Sequence, residues 1–236
     1  MIGIGIGPGF GGSLPFSPRN ISGLALWLRA DKGVTIATGV SSWADQSGNG
    51  NTATQATGSA QPTRNASDAS YNNQATLSFA SAASQFLATG ATPSLSQPFS
   101  IVVVGNDSGA AAIQALADDK AATLYFANNG SGHYYLSGGL NVTTNAAASN
   151  TPKVLIATIN GASTTIRLSA ATPDVTGNIG AATLTGVSIG CIGNGVSGFL
   201  NGKIAEVAVY SKALSVAEVA AINNYANKRY GISIGA

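Results

Sequence analysis

Charged side chains are scarce in this sequence. Only 8% of the 236 residues are Asp, Glu, Lys or Arg, against about 25% in a typical globular domain. The 11 Lys and Arg and the 9 Asp and Glu give a formal net charge of +2, and no stretch of the chain is strongly basic. We therefore expect no nucleic-acid binding by phosphate neutralisation. A surface with so few charges suits a protein in a permanent assembly or outside the cell.

Cysteine and histidine occur once each, which excludes several kinds of site. Cys191 cannot form an internal disulfide, and its apolar surroundings, GVSIGCIG, predict a buried small side chain. His133 alone cannot supply a three-ligand zinc site together with one distant cysteine. A Ser-His-Asp triad would need His133, and the G-x-S-x-G turn of such hydrolases is missing.

Paired acids are also missing from the predicted strands. Glycoside hydrolysis uses two carboxyl groups about 5–10 Å apart. Asp118 and Asp119 are adjacent, so in a strand they would point to opposite faces. Glu206 has no second acid on its strand and therefore no evident partner. We expect no catalytic residues and no enzymatic activity.

The beginning of the chain has the composition of an extended arm. Residues 1–20 combine closely spaced Gly and Pro with isoleucines at positions 2, 4 and 6, and such a segment has little to bury by itself. It lacks the positive start of a signal peptide, and no window approaches the roughly 18 apolar residues of a membrane span. We expect an arm at 1–20, one domain at 21–236, and no membrane partner.

The rest of the chain predicts an all-β sandwich. With 44% hydrophobic residues there is ample material for a core. Short apolar runs alternate with Gly and Asn, and about ten strands follow one another at this spacing. Residues 122–144 predict three strands joined by Asn-Asn-Gly and Gly-Gly turns, and residues 153–170 predict two strands around an Asn-Gly turn.

One helix is predicted near the end of the chain. Ser215 followed by Glu218 three residues later forms a capping box. Apolar residues then recur at helical spacing, Lys228 and Arg229 stand in the last turn, and Gly231 can end the helix. We expect this helix to pack one face against the sandwich and to cover an edge or an end of it.

Two stretches at opposite ends of the chain carry a resemblance to known proteins. LALWLRADKGVT is followed by VSSWADQSGNGNTATQ and QPT, and GFLNGKIAEVAVYSKALSVAEVAAINNYANKRYGI closes the chain. Together they resemble the laminin-G-like/concanavalin A-like jelly-roll domains of phage virion proteins and bacterial surface proteins. The resemblance spans 24–234, and between its two ends only the rhythm of strands matches.

The resemblance implies two antiparallel sheets packed face to face. Members of this family can bind calcium or glycans through loops at the rim of the sandwich. This chain has Ala205 where many relatives carry an Asp, which argues against calcium. We expect no cofactor, with calcium as the alternative.

The stretch SWADQSGNGN has two interpretations, a ligand site or a structural turn. Calcium takes about 6–8 oxygen ligands, usually from several carboxylates, and this stretch offers one. We favour the turn, in which Asp45 accepts local N–H bonds and Trp43 anchors the core beside Trp27. The residues of the predicted turn are Trp43, Asp45, Gly48, Asn49 and Gly50.

A glycan-contacting loop is the other candidate site. Asparagine and aromatic side chains hold sugars by hydrogen bonds and stacking, and loops on rigid sandwiches often carry function. Surface or cross-strand packing is the alternative for the same residues. The candidate set is Asn128, Asn129, His133, Tyr134 and Tyr135.

These observations predict a non-enzymatic virion structural protein of a bacteriophage. It would be a capsid decoration, head-fibre or tail-associated protein that binds other virion proteins through residues 1–20 and displays a lectin-like sandwich outward. A homo-oligomer, for example a trimer, fits such a location by analogy. The alternative is a glycan-binding adhesion module of a bacterial surface protein, with an extracellular or cell-surface location.

Overall fold

The structure is a computed structural model that describes residues 16–109, 112–147 and 150–235. Within these residues lie one α-helix and nineteen strands, more than the ten or so predicted, because many are only two or three residues long. The α-helix is α1 Val216–Tyr230. The strands are β1 Leu24–Arg29, β2 Val34–Ile36, β3 Val40–Trp43, β4 Ala53–Thr54, β5 Thr63–Asp68, β6 Gln74–Phe79, β7 Leu87–Ala88, β8 Ser94–Ser96, β9 Phe99–Asp107, β10 Ile113–Asp119, β11 Tyr125–Asn129, β12 His133–Ser137, β13 Asn141–Ala147, β14 Lys153–Ile159, β15 Thr164–Leu168, β16 Val175–Gly177, β17 Thr183–Thr185, β18 Val187–Ile189 and β19 Gly202–Tyr210.

The strands form two large antiparallel sheets, and the all-β prediction is confirmed. The eight-stranded sheet has the order β16-β15-β14-β9-β19-β6-β5, and β1 pairs with the part of β19 that β6 leaves free. The nine-stranded sheet has the order β13-β12-β11-β10-β18-β7-β4-β3-β2, and β8 pairs with β17 in a small ribbon. The three-strand unit β11-β12-β13 and the β14-β15 pair lie where the turn residues predict them.

The main core fills the space between the two sheets. Every second residue of a strand points to one face, so each strand contributes alternate side chains. Leu26, Leu77 and Val207 come from the eight-stranded sheet, and Trp43 and Phe126 come from the nine-stranded sheet. This arrangement is the face-to-face sandwich that the strand spacing predicts.

A second apolar layer lies on the outer face of the eight-stranded sheet, under α1. Val102 and Val104 of β9 point outward into it, and Val219, Ile222 and Ala226 of α1 belong to the same apolar cluster. The prediction that the helix covers an edge or an end is wrong, because α1 lies across a face. The continuous apolar runs of β9 and β14 require this, since strands buried on one face only would alternate with polar residues.

The ends of α1 follow the predicted signals. The Ser215 hydroxyl accepts a hydrogen bond from the Glu218 N–H, and the Glu218 carboxylate accepts one from the Ser215 N–H. Gly231 ends the helix with a left-handed φ of 68°. No helix among the described residues is long and apolar enough to cross a membrane.

The predicted arm falls outside the described residues for positions 1–15. From Phe16 onward the chain lies on the sandwich. Residues Pro18–Asn20 form a 3-10 helix, and the Pro18 carbonyl accepts a hydrogen bond from the Tyr210 hydroxyl at 3.2 Å. The Phe16 ring meets the Tyr225 ring of α1 edge-on, with the centroids 6.1 Å apart.

Replacing the helix cap will weaken the attachment of this outer layer. Ser215→Ala removes the acceptor for the Glu218 N–H, and we expect it to lower the free energy of unfolding by about 1 kcal/mol. Urea denaturation followed by tryptophan fluorescence measures the change. Ser59→Ala, at an exposed position, is the matched control, and an equal loss in both variants would contradict the role of the cap.

Candidate functional site

The Trp43–Gly50 stretch forms a turn that is bound to β1. The Asp45 carboxylate accepts hydrogen bonds from the backbone N–H groups of Trp27 at 2.9 Å, Ser47 at 2.8 Å and Asn51 at 3.0 Å. The Asn49 side chain donates to a β1 carbonyl at 2.9 Å. These bonds engage both oxygens of Asp45, so the turn joins β1 to the chain that follows β3.

The two glycines of this turn and the two tryptophans take distinct positions. Gly48 and Gly50 have φ values of 102° and 76°, a region that favours glycine. Trp43 is fully buried in the core between the sheets and donates to the Arg29 carbonyl at 2.7 Å. Trp27 lies in the layer under α1 instead. The two tryptophans therefore anchor different layers and are not the adjacent pair that we predicted.

The predicted glycan loop is the β11–β12 hairpin, and much of it is buried. Asn128 and Tyr134 are fully buried, and Asn128 donates to Asp107 at 3.0 Å. Tyr135 retains 7% of its surface and packs edge-on against Tyr125 with centroids 5.6 Å apart. A buried side chain has no surface to offer a sugar, which leaves only two of the five candidates.

The remaining two, Asn129 and His133, are half-buried. The Asn129 side chain accepts from the His133 N–H at 3.2 Å and from the Ser131 N–H at 2.8 Å, which closes the hairpin turn. The His133 ring contacts the Thr144 carbonyl at 3.0 Å through Nδ1. The polar side chains of the hairpin therefore make hydrogen bonds within the protein and are not directed mainly to an open surface.

A cavity lies elsewhere, between α1, residues 16–17 and the strands β1 and β6. Its volume is about 680 Å³, within the range of about 300–1,000 Å³ that is typical of ligand sites. We call it the helix groove. It is lined by Phe16, Ser17, Arg29, Asn72, Gln74, Ala221, Asn224, Tyr225, Lys228 and Arg229.

The helix groove combines three kinds of side chain. The rings of Phe16 and Tyr225 form an aromatic wall. Three amides line it, from Asn72, Gln74 and Asn224. Three cations line it as well, from Arg29, Lys228 and Arg229, and no carboxylate is among the described residues of its lining.

A buried carboxylate, that of Glu206, holds the aromatic wall of the groove in place. Glu206 is almost fully buried and accepts hydrogen bonds from the Trp27 indole at 2.5 Å, from the Tyr225 hydroxyl at 2.9 Å and from the Tyr230 hydroxyl. The partners of Glu206 are aromatic donors from β1 and α1, which a search for a second acid on the same strand does not find.

Burial sets the protonation of this cluster. Burial raises the pKa of Glu206, and the three hydrogen bonds offset only part of that effect. Burial and the charge of Glu206 raise the pKa of Tyr225 and of Tyr230, so both hydroxyls stay protonated and remain donors. Tyr225 is thereby held with its hydroxyl inward and its ring at the groove.

Two of the three cations of the groove share one acid. Arg29 binds Asp31 with two hydrogen bonds, of 3.0 Å and 2.7 Å, and Arg229 binds the same carboxylate at 2.7 Å. Burial raises the pKa of Asp31, but the hydrogen bonds and charges of Arg29 and Arg229 outweigh it, and the pKa lies below its usual value. Lys228 is exposed and makes no ion pair with the described residues.

The sequence holds only a partial signal for this groove. Ala221, Tyr225 and Lys228 recur at positions i, i+4 and i+7, which places them on one helix face next to the buried face. Arg29 lies about 200 residues before Arg229, so their proximity depends on the fold. Lys228 and Arg229, which the sequence explains only by the helix dipole, also line the groove.

A buried acid lies on the nine-stranded sheet, away from the groove. Asp118 is fully buried and accepts a hydrogen bond from the Gly193 N–H. Burial raises its pKa to about 8. Burial also raises the pKa of the neighbouring Cys191 thiol to about 12, so this cysteine is the inert, buried side chain that its sequence context predicts.

No group of three or more His, Cys, Asp or Glu side chains in the described part of the chain is arranged to hold a metal ion. Asp118 and Asp119 also have separate partners, since Asp119 accepts from the Thr185 N–H at 2.8 Å and from the Thr123 hydroxyl. Ala205 is fully buried in the layer under α1.

Known structures share this fold. Trypanosoma rangeli sialidase in complex with the inhibitor DANA aligns with a TM-score of 0.60 at 13% identity, over 86% of this chain and 33% of the sialidase. The binding domain of Paraclostridial Mosquitocidal Protein 1 aligns with a TM-score of 0.60 at 12% identity, over 86% and 52%. Domain 4 of AbnA, a GH43 extracellular arabinanase from Geobacillus stearothermophilus, aligns with a TM-score of 0.54 at 11% identity, over 83% and 96%.

These likenesses define a lectin-like β-sandwich and, at such identities, the fold alone. The chain spans a third of the sialidase and about half of the mosquitocidal protein fragment. No protein family and no curated protein sequence matches it. The jelly-roll part of the resemblance is confirmed, and its laminin-G and phage parts stay predictions.

The buried Asp118 predicts a pH dependence of stability. Its pKa is about 8 in the fold and about 4 in an unfolded chain, so between these values the native state binds the extra proton. Stability therefore falls as the pH rises from about 4 to about 8. Asp118→Asn stays neutral, and we expect its stability relative to the wild type to increase over this range.

Urea denaturation at pH 4.5, 6 and 8 tests this expectation. Asp174→Asn, which removes a half-buried carboxylate on a loop, is the matched control. A constant difference between Asp118→Asn and the wild type at all three pH values would contradict the raised pKa.

Proposed function

We propose that this chain is a non-enzymatic carbohydrate-binding module and that its ligand lies in the helix groove. The observation that carries the proposal is the composition of the groove, with an aromatic wall, three amides and three cations around one cavity of about 680 Å³. Sugars present apolar ring faces and hydroxyl groups, which such a surface matches by packing and by hydrogen bonds.

The similar structures support this proposal. Domain 4 of AbnA was solved in complex with arabinotriose, and the similar part of the mosquitocidal protein is a binding domain. Both are sandwiches of the same architecture. They support glycan binding over the other uses of the fold, and we take the groove as the proposed location of that function on this chain.

The absence of activity is part of the proposal. Two carboxylates bind residues of the groove lining, Asp31 and Glu206, and both are engaged. Asp31 is bound by two arginines, and Glu206 lies beneath the Trp27 and Tyr225 rings. A glycosidase needs one acid that can donate a proton and a second that faces the sugar, and neither group is free to do so.

Removing amides from the groove will weaken glycan binding. The double variant Gln74→Ala with Asn224→Ala removes two hydrogen-bonding groups from the lining while leaving the Glu206 cluster intact. We expect an affinity loss of roughly tenfold, because each lost hydrogen bond costs about 0.5–1.5 kcal/mol. A glycan array that includes arabino-oligosaccharides and sialylated glycans identifies ligands, and calorimetry measures the loss.

The β11–β12 hairpin supplies the matched control. Asn129→Ala with His133→Ala removes the same number of polar side chains from the site that the sequence predicts. We expect it to leave affinity unchanged. Loss of binding in the hairpin variant only would move the site to the hairpin, and no binding to any glycan would refute the function.

Display outside the cell is the second part of the proposal. The low charge and the resemblance to virion and bacterial surface domains support a module carried on a bacteriophage particle or on a bacterial cell surface. Residues 1–15, the part of the predicted arm that precedes the residues lying on the sandwich and lining the groove, would bind neighbouring proteins there. Several copies, as in a homo-oligomer, would multiply a modest affinity for surface glycans.

Peptide mass spectrometry on purified phage particles and on cell-surface fractions of the source separates the two locations. Many copies per particle are the expected result for a decoration, head-fibre or tail-associated protein. Recovery from the cell surface alone would favour the adhesion module and exclude the virion.

A further inference from the structure

We infer that the helix groove selects glycans that carry a negative charge, as a carboxylate or a sulfate. This inference rests on the proposed function and names the ligand class of the same site. The chain has only 11 lysines and arginines in 236 residues, and three of them, Arg29, Lys228 and Arg229, line this one cavity. This local excess of positive charge stands out on a surface with so few charges, and it would attract a negatively charged ligand.

The excess is not cancelled by acids of the lining. Its described residues include no carboxylate. Asp31 neutralises one of the two arginines that it binds. The buried Glu206 accepts hydrogen bonds from Trp27, Tyr225 and Tyr230 and also interacts electrostatically with Arg29. Lys228 is exposed and makes no ion pair with the described residues, so no acid among them offsets it there.

Asp31 also shows what the arginine pair is able to bind. Its carboxylate joins Arg29 and Arg229 at 2.7 Å each, and a charge-assisted geometry of this kind suits carboxylates and sulfates in general. The Asp31 side chain is one-third exposed, so an acidic ligand can compete for the guanidinium groups from the solvent side. Asp31 thus acts as an internal competitor for the charged group of the glycan.

The aromatic wall determines which part of the ligand lies where. Phe16 and Tyr225 can pack against the apolar face of a sugar ring, while the amides of Gln74 and Asn224 reach its hydroxyls. Charge from Arg29 and Lys228 then distinguishes an acidic sugar from its neutral parent. In this inference the aromatic rings match the shape of the sugar ring, and the cations determine the preference for acidic over neutral glycans.

Matched glycans test the inference on the intact chain. Lactose, 3′-sialyllactose and 3′-sulfolactose share one disaccharide and differ by a carboxylate or a sulfate, and neutral and oxidised forms of other array hits extend the set. We expect the acidic members to bind about fivefold or more tightly than the neutral parent at about 50 mM salt, with the difference shrinking at 0.5 M salt. If only one of the two acidic glycans binds more tightly, that result shows whether the groove recognises a carboxylate or a sulfate.

Two variants should move this preference in opposite directions. Asp31→Asn frees the arginine pair and should tighten binding of acidic glycans without changing the neutral parent. Lys228→Gln should weaken acidic glycans by about two- to fivefold, which corresponds to one partly exposed ion pair. Lys120→Gln, which removes the same charge just after the end of β10, should have no effect.

The outcomes separate the inference from the function on which it rests. Equal binding of acidic and neutral glycans, with no effect of salt, Asp31→Asn or Lys228→Gln, would overturn the charge selectivity, while loss in the Gln74 and Asn224 variant would keep the groove as the glycan site. Failure of that double variant to weaken any glycan would overturn both. Circular dichroism of each variant verifies that it is folded.

Discussion

The central strands of the eight-stranded sheet must be covered on both faces. β9 carries apolar side chains at consecutive positions, and those that point away from the core between the sheets would meet water without α1. The helix supplies the missing cover, and with it come its capping box, its buried aromatic residues and its last basic turn. The outer layer is therefore a requirement of the sheet and not an appendage, and the groove exists because this layer does.

Covering that face buries a carboxylate, which organises the surroundings of the groove. Glu206 lies on β19 among residues that point toward α1, and aromatic donors from β1 and α1 satisfy it. A buried acid without such donors would cost several kcal/mol. The same hydrogen bonds orient Tyr225, so one interaction both holds the helix on the sheet and fixes the aromatic wall. The structural role and the proposed binding role share the same atoms.

The sequence predicts elements whose signals are local. The capping box at Ser215, the Gly231 stop, the strand rhythm and the hairpin turns need only neighbouring residues, and the structure has them at those positions. Features that depend on tertiary contacts were not predictable in this way. Periodicity indicates that α1 has a buried face but not which surface covers it, and residue types in the 128–135 stretch do not reveal that Asn128 and Tyr134 point inward. The helix groove joins residues 16, 29, 74 and 228, so no motif contains it.

The pairing of β1 with β19 has a consequence for how the chain is made. Trp27 and Glu206, which meet through this pairing, are 179 residues apart. At a synthesis rate of 5–20 residues per second, the apolar side chains of β1 wait roughly 9–36 seconds for the strand that shelters them. Contacts of such sequence separation also slow folding, because the chain between them must lose conformational entropy before the stabilising contact forms. A nascent chain of this protein therefore carries β1 without its partner strand while the residues between Trp27 and Glu206 are made. Its unpaired backbone groups are open to other strands during that time.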